Sequence, residues 1–214
     1  MSKEPEILLS KARLEALSDG VFAIVLTLLI LEIKVPELHN LSNADMLHEL
    51  SLKIPLFATY FLSFAVISMF WLSHHFMFAW RAKNVDRTVI LINSLYLCLL
   101  SLIPFSSHFL GQQIDSSIAS AFYGVNISIL SVVFLWLSNY VWNSEHIKSD
   151  TMTSRNKKQG DIRQYMVLSF NFLGIIFSFV NIPFALFLYL FPVFFNIIPG
   201  LLNTFEKFLG FEIK

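Results

Sequence analysis

The chain has 214 residues, of which 56% are hydrophobic and 14% charged, with a mean hydropathy of +0.65. Soluble domains carry about 25% charged residues, so most of this surface is not built to face water. Its 15 basic and 15 acidic residues cancel, which gives nucleic acid no bulk electrostatic attraction. Residues 1–13 are polar and of mixed charge, without the apolar core or cleavage site of a signal peptide.

In chain order, apolar runs cover residues 14–33, 54–80, 88–110, 118–142, 165–181 and 183–199. A helix of about 20 residues crosses the roughly 30 Å hydrocarbon layer, so the runs predict one all-α membrane domain over 1–214 with six spans. The last two are short, and Asn181-Ile182-Pro183 between them suits either a turn or a break in one helix. A tight hairpin is the preferred reading, because proline fits the first turn of a new helix. Residues 32–53 form an acidic connection in which 45–49 predict a short interfacial helix. His39 and His48 there are read as members of a solvated loop rather than as metal ligands, since nothing fixes their geometry. Residues 144–160 have the Ser/Thr/Asn/Lys composition of a flexible linker. Cys98, the single cysteine, reads as a small core hydrophobe and excludes disulfide scaffolds within the chain.

Basic residues sort by connection. Lys3, Lys11 and Arg13 precede the first span; Arg81, Lys83 and Arg87 follow the second; Lys148, Arg155, Lys157, Lys158 and Arg163 follow the fourth; Lys207 and Lys214 follow the sixth. Only Lys34 and Lys53 fall on the other side. Basic residues near span ends stay cytoplasmic, which predicts six spans with both termini inside. Trp80, Trp142 and Tyr165 fall near the cytoplasmic ends, where amphipathic rings belong. Phe184, Phe187, Phe191, Phe194 and Phe195 read as a lipid-facing or inter-helix surface.

Polar residues inside the spans carry more information. Ser18 and Asp19 lie five to six residues past Arg13, His74 and His75 five to six before Trp80, and Asn93 six after Arg87. These distances place all of them about 8–9 Å inside the same boundary. An ionisable group at that depth normally faces the interior with a partner, so one buried network of Arg13, Asp19, one of the two histidines and Asn93 is expected. Which histidine joins it stays open. Helix locking is the plainer role for such a network; a proton relay is the functional one. In the first span Gly20, Ala23 and Thr27 make a small-residue stripe, and Ile24, Leu28 and Leu31 an aliphatic one beside it. One aliphatic stripe is ordinarily core or lipid-facing, but several copies around an axis would form a constriction that gates by dewetting. No motif supplies a catalytic nucleophile with its base or a cofactor site, and an enzyme is the least favoured class.

The segment Arg13-Leu-Glu-Ala-Leu17-Ser18-Asp19 resembles the Arg-x-x-x-Phe-Ser-Asp signature of the transmembrane protein 175 family, the endosomal-lysosomal potassium channels and their prokaryotic relatives. Trp71-Leu-Ser-His74-His75-Phe76 in the second span, Asn93 and Pro104-Phe105 in the third, and Thr27 to Leu31 with Pro36 are also similar to that family, while Leu17 replaces the signature Phe. The resemblance implies a potassium-selective homotetramer in a prokaryotic plasma membrane, with the first helix lining a central pore. It implies Ile24 at the narrowest ring, Leu28 and Leu31 as the next rings outward, and Thr27 behind the constriction. A TVGYG-like carbonyl filter is absent. The competing reading is a proton-coupled cation transporter using Asp19, His74 and His75, although no repeat relates the two halves. A third is a non-conducting assembly protein in which the polar layer only joins helices.

Overall fold

The computed structural model describes residues 10–35, 42–150 and 153–198, without the side chains at 155 and 156. The described residues are helical: α1 (Lys11–Leu31), α2 (Asn43–Ser51), α3 (Ile54–Phe76) running on through a π-helical turn (Met77–Arg81), α4 (Arg87–Leu100), α5 (Ile103–Gln112), α6 (Ser117–Asn143), α7 (Ser154–Phe177) and α8 (Ile182–Ile197). Local chemistry sets most of the starts. Ser42 and Asp45 close a reciprocal capping box on α2. Side chains of Asp86, Ser116 and Asn181 accept from the third backbone N–H of α4, α6 and α8. Prolines sit in the first turns of α3, α5 and α8, where a missing N–H costs nothing.

Four stretches are long and apolar enough to cross a membrane: Lys11–Leu31, Ile54–Arg81, Arg87–Gln112 and Ser117–Asn143. The expected third span, 88–110, is not one rod. α4 stops at Leu100 and α5 restarts at Ile103, because Pro104 has no N–H to continue the ladder. The expected linker is also corrected. Helix begins at Ser154 rather than 165, and tertiary contacts hold its polar first turns: Lys157 stands 5.0 Å from the Trp142 ring centroid, and Gly160 packs against the Arg81 guanidinium. That polar start keeps α7 from qualifying as an apolar span, and α8 is a shorter apolar helix.

α7 and α8 fold back on each other. Phe170 meets Phe191 at 4.6 Å between ring centroids and Phe177 meets Phe184 at 4.8 Å, a pairing that runs antiparallel. Tyr189 fills the space left by two glycines, Gly124 on α6 and Gly174 on α7, where any Cβ would strike its ring. Its hydroxyl donates to the Ser120 carbonyl at 3.1 Å. Of the phenylalanines in α8, Phe195 is buried and Phe184, Phe187 and Phe194 are exposed.

Cys98 is exposed, not a core residue. The inward positions of α4 are Ile92, Asn93, Tyr96, Leu97 and Leu100, and helical rotation turns residue 98 away from them.

The charged connections meet at one end of the bundle. Lys11 Nζ donates to the Ala82 carbonyl at 2.9 Å, Ala82 bridges to Lys148, Lys83 pairs with Asp150 at 3.2 Å, and Arg81 donates to Ser138 Oγ at 2.6 Å. The start of α1, the end of α3, the start of α4, the end of α6 and the start of α7 are thereby neighbours. Lys3, Lys207, Lys214, Pro36 and His39 lie outside the described residues.

Candidate functional site: the first helix and the polar layer behind it

α1 divides lengthwise. Leu14, Ser18, Phe22, Val25 and Leu29, spaced three or four apart, are buried against the rest of the chain. Only 28% of its apolar window is buried in this way. The other side carries Leu17, Gly20, Ala23 and Thr27, all exposed. It also carries Ile24, Leu28 and Leu31, which are 59%, 42% and 69% exposed. A methyl placed on Gly20 would meet nothing within 4 Å. Thr27 donates its hydroxyl back to the Ala23 and Ile24 carbonyls at 3.1 and 2.8 Å. Its polar atom is satisfied within the helix, as hydroxyls in apolar helices commonly are. The four residues expected to line a pore thus share an outward face that the described residues leave exposed.

Behind the buried stripe lies the polar layer, and it forms two sets rather than one network. In the buried set, Asn93 Nδ2 donates to Ser18 Oγ at 3.0 Å, and His74 Nε2 lies 2.8 Å from Asn93 Oδ1. Since that oxygen only accepts, Nε2 carries the proton. The Ser18 hydroxyl donates in turn to the Leu14 carbonyl at 2.8 Å. Aromatic rings enclose His74: Tyr96 stacks on it at 5.6 Å, and Phe22 and Phe78 approach at 5.6 and 4.8 Å. α1, α3 and α4 are joined at this point.

In the exposed set, Trp71 Nε1 donates to Asp19 Oδ1 at 2.9 Å, and the His75 ring stacks on Trp71 at 5.7 Å. Asp19 therefore stays out of the buried set, because it stands about 100° around the helix from Ser18. His74 turns inward and His75 outward for the same reason. Arg13 is exposed and joins neither set among the described residues.

Further polar joints occur that counting depth along the chain does not reveal. Ser63 Oγ donates to Ser107 Oγ at 2.8 Å and lies 2.9 Å from the Tyr123 hydroxyl, and Asn126 Nδ2 donates to Ser106 Oγ at 3.0 Å. Their signal was the set of serines, Tyr123 and Asn126 inside otherwise apolar runs. At the charged end Asp86 caps α4 through the Val89 N–H at 2.8 Å, accepts from the Tyr140 hydroxyl at 2.7 Å and lies 3.3 Å from His146 Nε2. Burial works against its charge, but the bonds from Val89, Tyr140 and His146 outweigh it and hold the carboxyl below its ordinary range. Among the described residues no three His, Cys, Asp or Glu side chains converge as metal ligands.

The family model for the endosomal/lysosomal potassium channel TMEM175 matches residues 13–104, the stretch that supplies the buried and exposed polar sets. A potassium channel of Chryseobacterium sp. (strain P1-3) is 29% identical over 167 residues, covering 78% of this chain and 82% of the relative. A potassium channel of Streptomyces collinus is 37% identical over 130 residues, 58% of this chain and 62% of the relative. The human endosomal/lysosomal proton channel TMEM175 is 38% identical over 104 residues, 46% of this chain and 20% of that much longer protein. In fold, the chain is similar to the crystal structure of a lysosomal potassium-selective channel TMEM175 homolog from Chamaesiphon minutus, with a TM-score of 0.73, 24% identity, and coverage of 86% of this chain and 95% of the other. Over residues 13–104 the chain thus matches the TMEM175 family model, and it shares the fold of a TMEM175 homolog over 86% of its length.

Proposed function

We propose that the protein is a potassium-permeable channel, a homotetramer in which four copies of α1 surround the conduction path. The observation that carries this reading is the outward face of α1: Ile24, Leu28 and Leu31 stand exposed beside a small-residue stripe on the least buried of the four long apolar stretches. Lipid accepts such a face, but Gly20, Ala23 and Thr27 suit close approach of another helix. Bacterial relatives named potassium channels support the choice of ion. Ile24 forms the narrowest ring, Leu28 and Leu31 the next two outward, and Thr27 backs the constriction. Side chains of this kind gate by excluding water. The charged end of the bundle faces the cytoplasm together with both termini, and the α7–α8 hairpin supplies the last two of six crossings.

Ile24→Asn tests the ring directly. In liposomes carrying a potassium gradient, the amide should hydrate the constriction, raise flux several-fold and weaken discrimination against sodium. Flux and selectivity identical to the parent protein would overturn the assignment. A second reading, proton permeation, is favoured by the vertebrate relatives named proton channels. A reversal potential that follows the pH gradient in the same liposomes would select it.

A further inference from the structure

At the charged end, the π-helical turn Met77–Arg81 opens a cavity of about 280 Å³ between the end of α3, α6, α7 and the last turn of α8. π-Turns are frequent at functional sites. This one turns Met77 and Phe78 into the core and carries Arg81 between α6 and α7. Arg81, Arg163 and Gln164 line the cavity together with Phe76, Trp80 and Phe134. The lining therefore combines cationic and polar groups with aromatic rings. Gln164 is buried, yet its Oε1 has no hydrogen-bond partner. An amide oxygen accepts only, so the cavity has a place for an O–H or N–H donor. Asp161 is the nearby carboxylate. It lies 3.9 Å from Lys157 and faces Arg81, while Arg163 adds a further cation beside Arg81. Trp80 is 63% exposed at the end of an apolar span, the position of a ring at a membrane boundary.

From this cavity we infer a binding site for a phosphate ester whose second substituent bears a hydroxyl, the headgroup chemistry of phosphatidylglycerol. The guanidinium groups of Arg81 and Arg163 hold the phosphate, and a headgroup hydroxyl donates to Gln164 Oε1. The exposed flank of Phe76 and Trp80 receives the start of an acyl chain. Basic pockets between helices at a membrane surface take anionic headgroups in this manner. No residue of α1 lines the site, which stands independently of the channel reading.

The experiment is native mass spectrometry of delipidated protein titrated separately with palmitoyl-oleoyl phosphatidylglycerol, the matching phosphatidylcholine, and glycerol 3-phosphate. Parent protein should retain phosphatidylglycerol over phosphatidylcholine by roughly tenfold, the scale of one charge-assisted hydrogen bond. Arg163→Gln should remove that preference, and Gln164→Leu, which keeps every charge, should weaken it. Lys83→Gln should not change it, because Lys83 pairs with Asp150 at the same end outside the cavity. If glycerol 3-phosphate displaces the lipid, the phosphate site stands and its source is the soluble ester; if it does not, the source is the lipid. Equal retention of the two lipids, an undiminished preference in both Arg163→Gln and Gln164→Leu, or an equal loss in Lys83→Gln would overturn the site.

Discussion

Asn93 shows how a single side chain can hold three helices. It donates to Ser18 on α1 and accepts from His74 on α3, while its own backbone belongs to α4. Interhelical hydrogen bonds in membranes average only about 0.6 kcal/mol, because the separated helices find other partners. Asn93→Ala removes two bonds and leaves the His74 N–H enclosed by Phe22, Phe78 and Tyr96, with nothing to replace the lost oxygen. A buried donor without a partner costs about 1–3 kcal/mol, so this variant should show a clearly lower thermal midpoint in detergent. Trp71→Phe, which breaks only the exposed bond to Asp19, should shift the midpoint less. At this scale the sequence was readable in one dimension. Counting residues from the basic span ends brought Ser18, His74 and Asn93 to one depth. It could not give the direction in which each side chain pointed, and Asp19 and His75 therefore separated from the set.

Among the elements, the starts of helices were legible where chemistry is local. Ser42, Asp86, Ser116 and Asn181 each cap the helix that follows, and prolines mark three of the first turns. Features made by distant partners were not. The early start of α7 depends on Trp142 and Arg81, and the π-turn inserts a residue without any sequence breaker. The connection after α3 yields a pH prediction. Asp86 ties α4 to Tyr140 at the end of α6 and to His146 beyond it. Its carboxyl is held below the ordinary range in the folded state, so its contribution is complete above the unfolded value of about 3.9 and is lost as pH falls through the folded one. Asp86→Asn should therefore lower the thermal midpoint at neutral pH, and the gap between variant and parent should close in acid. A gap of constant size across that range would show that the charge on Asp86 is not what stabilises the connection.

For the whole molecule, composition and charge sorting made the membrane class and the shared charged end readable before any contact was known. The family resemblance rested on motifs in the first three spans, and the model match covers the same region. The assembly lies outside the reach of a single chain, and one substitution addresses it. Ala23 sits in the middle of the small-residue stripe on the exposed face of α1. Ala23→Trp should push the particle mass measured in detergent from that of the proposed tetramer toward smaller species while leaving helix content by circular dichroism unchanged. An unaltered mass would remove this face from the interface.

The lengthwise division of α1 has an evolutionary consequence. Phe22, Val25 and Leu29 serve the folding of the protomer, and Ile24, Leu28 and Leu31 do not, although the two sets alternate within one short stretch of sequence. In the proposed tetramer, selection on stability would therefore act on one set, and selection on what the copies do together on the other. A lineage could then change the size or polarity of the outward residues and keep its fold, so that under the proposed assembly new permeation properties would need no compensating changes elsewhere in the chain.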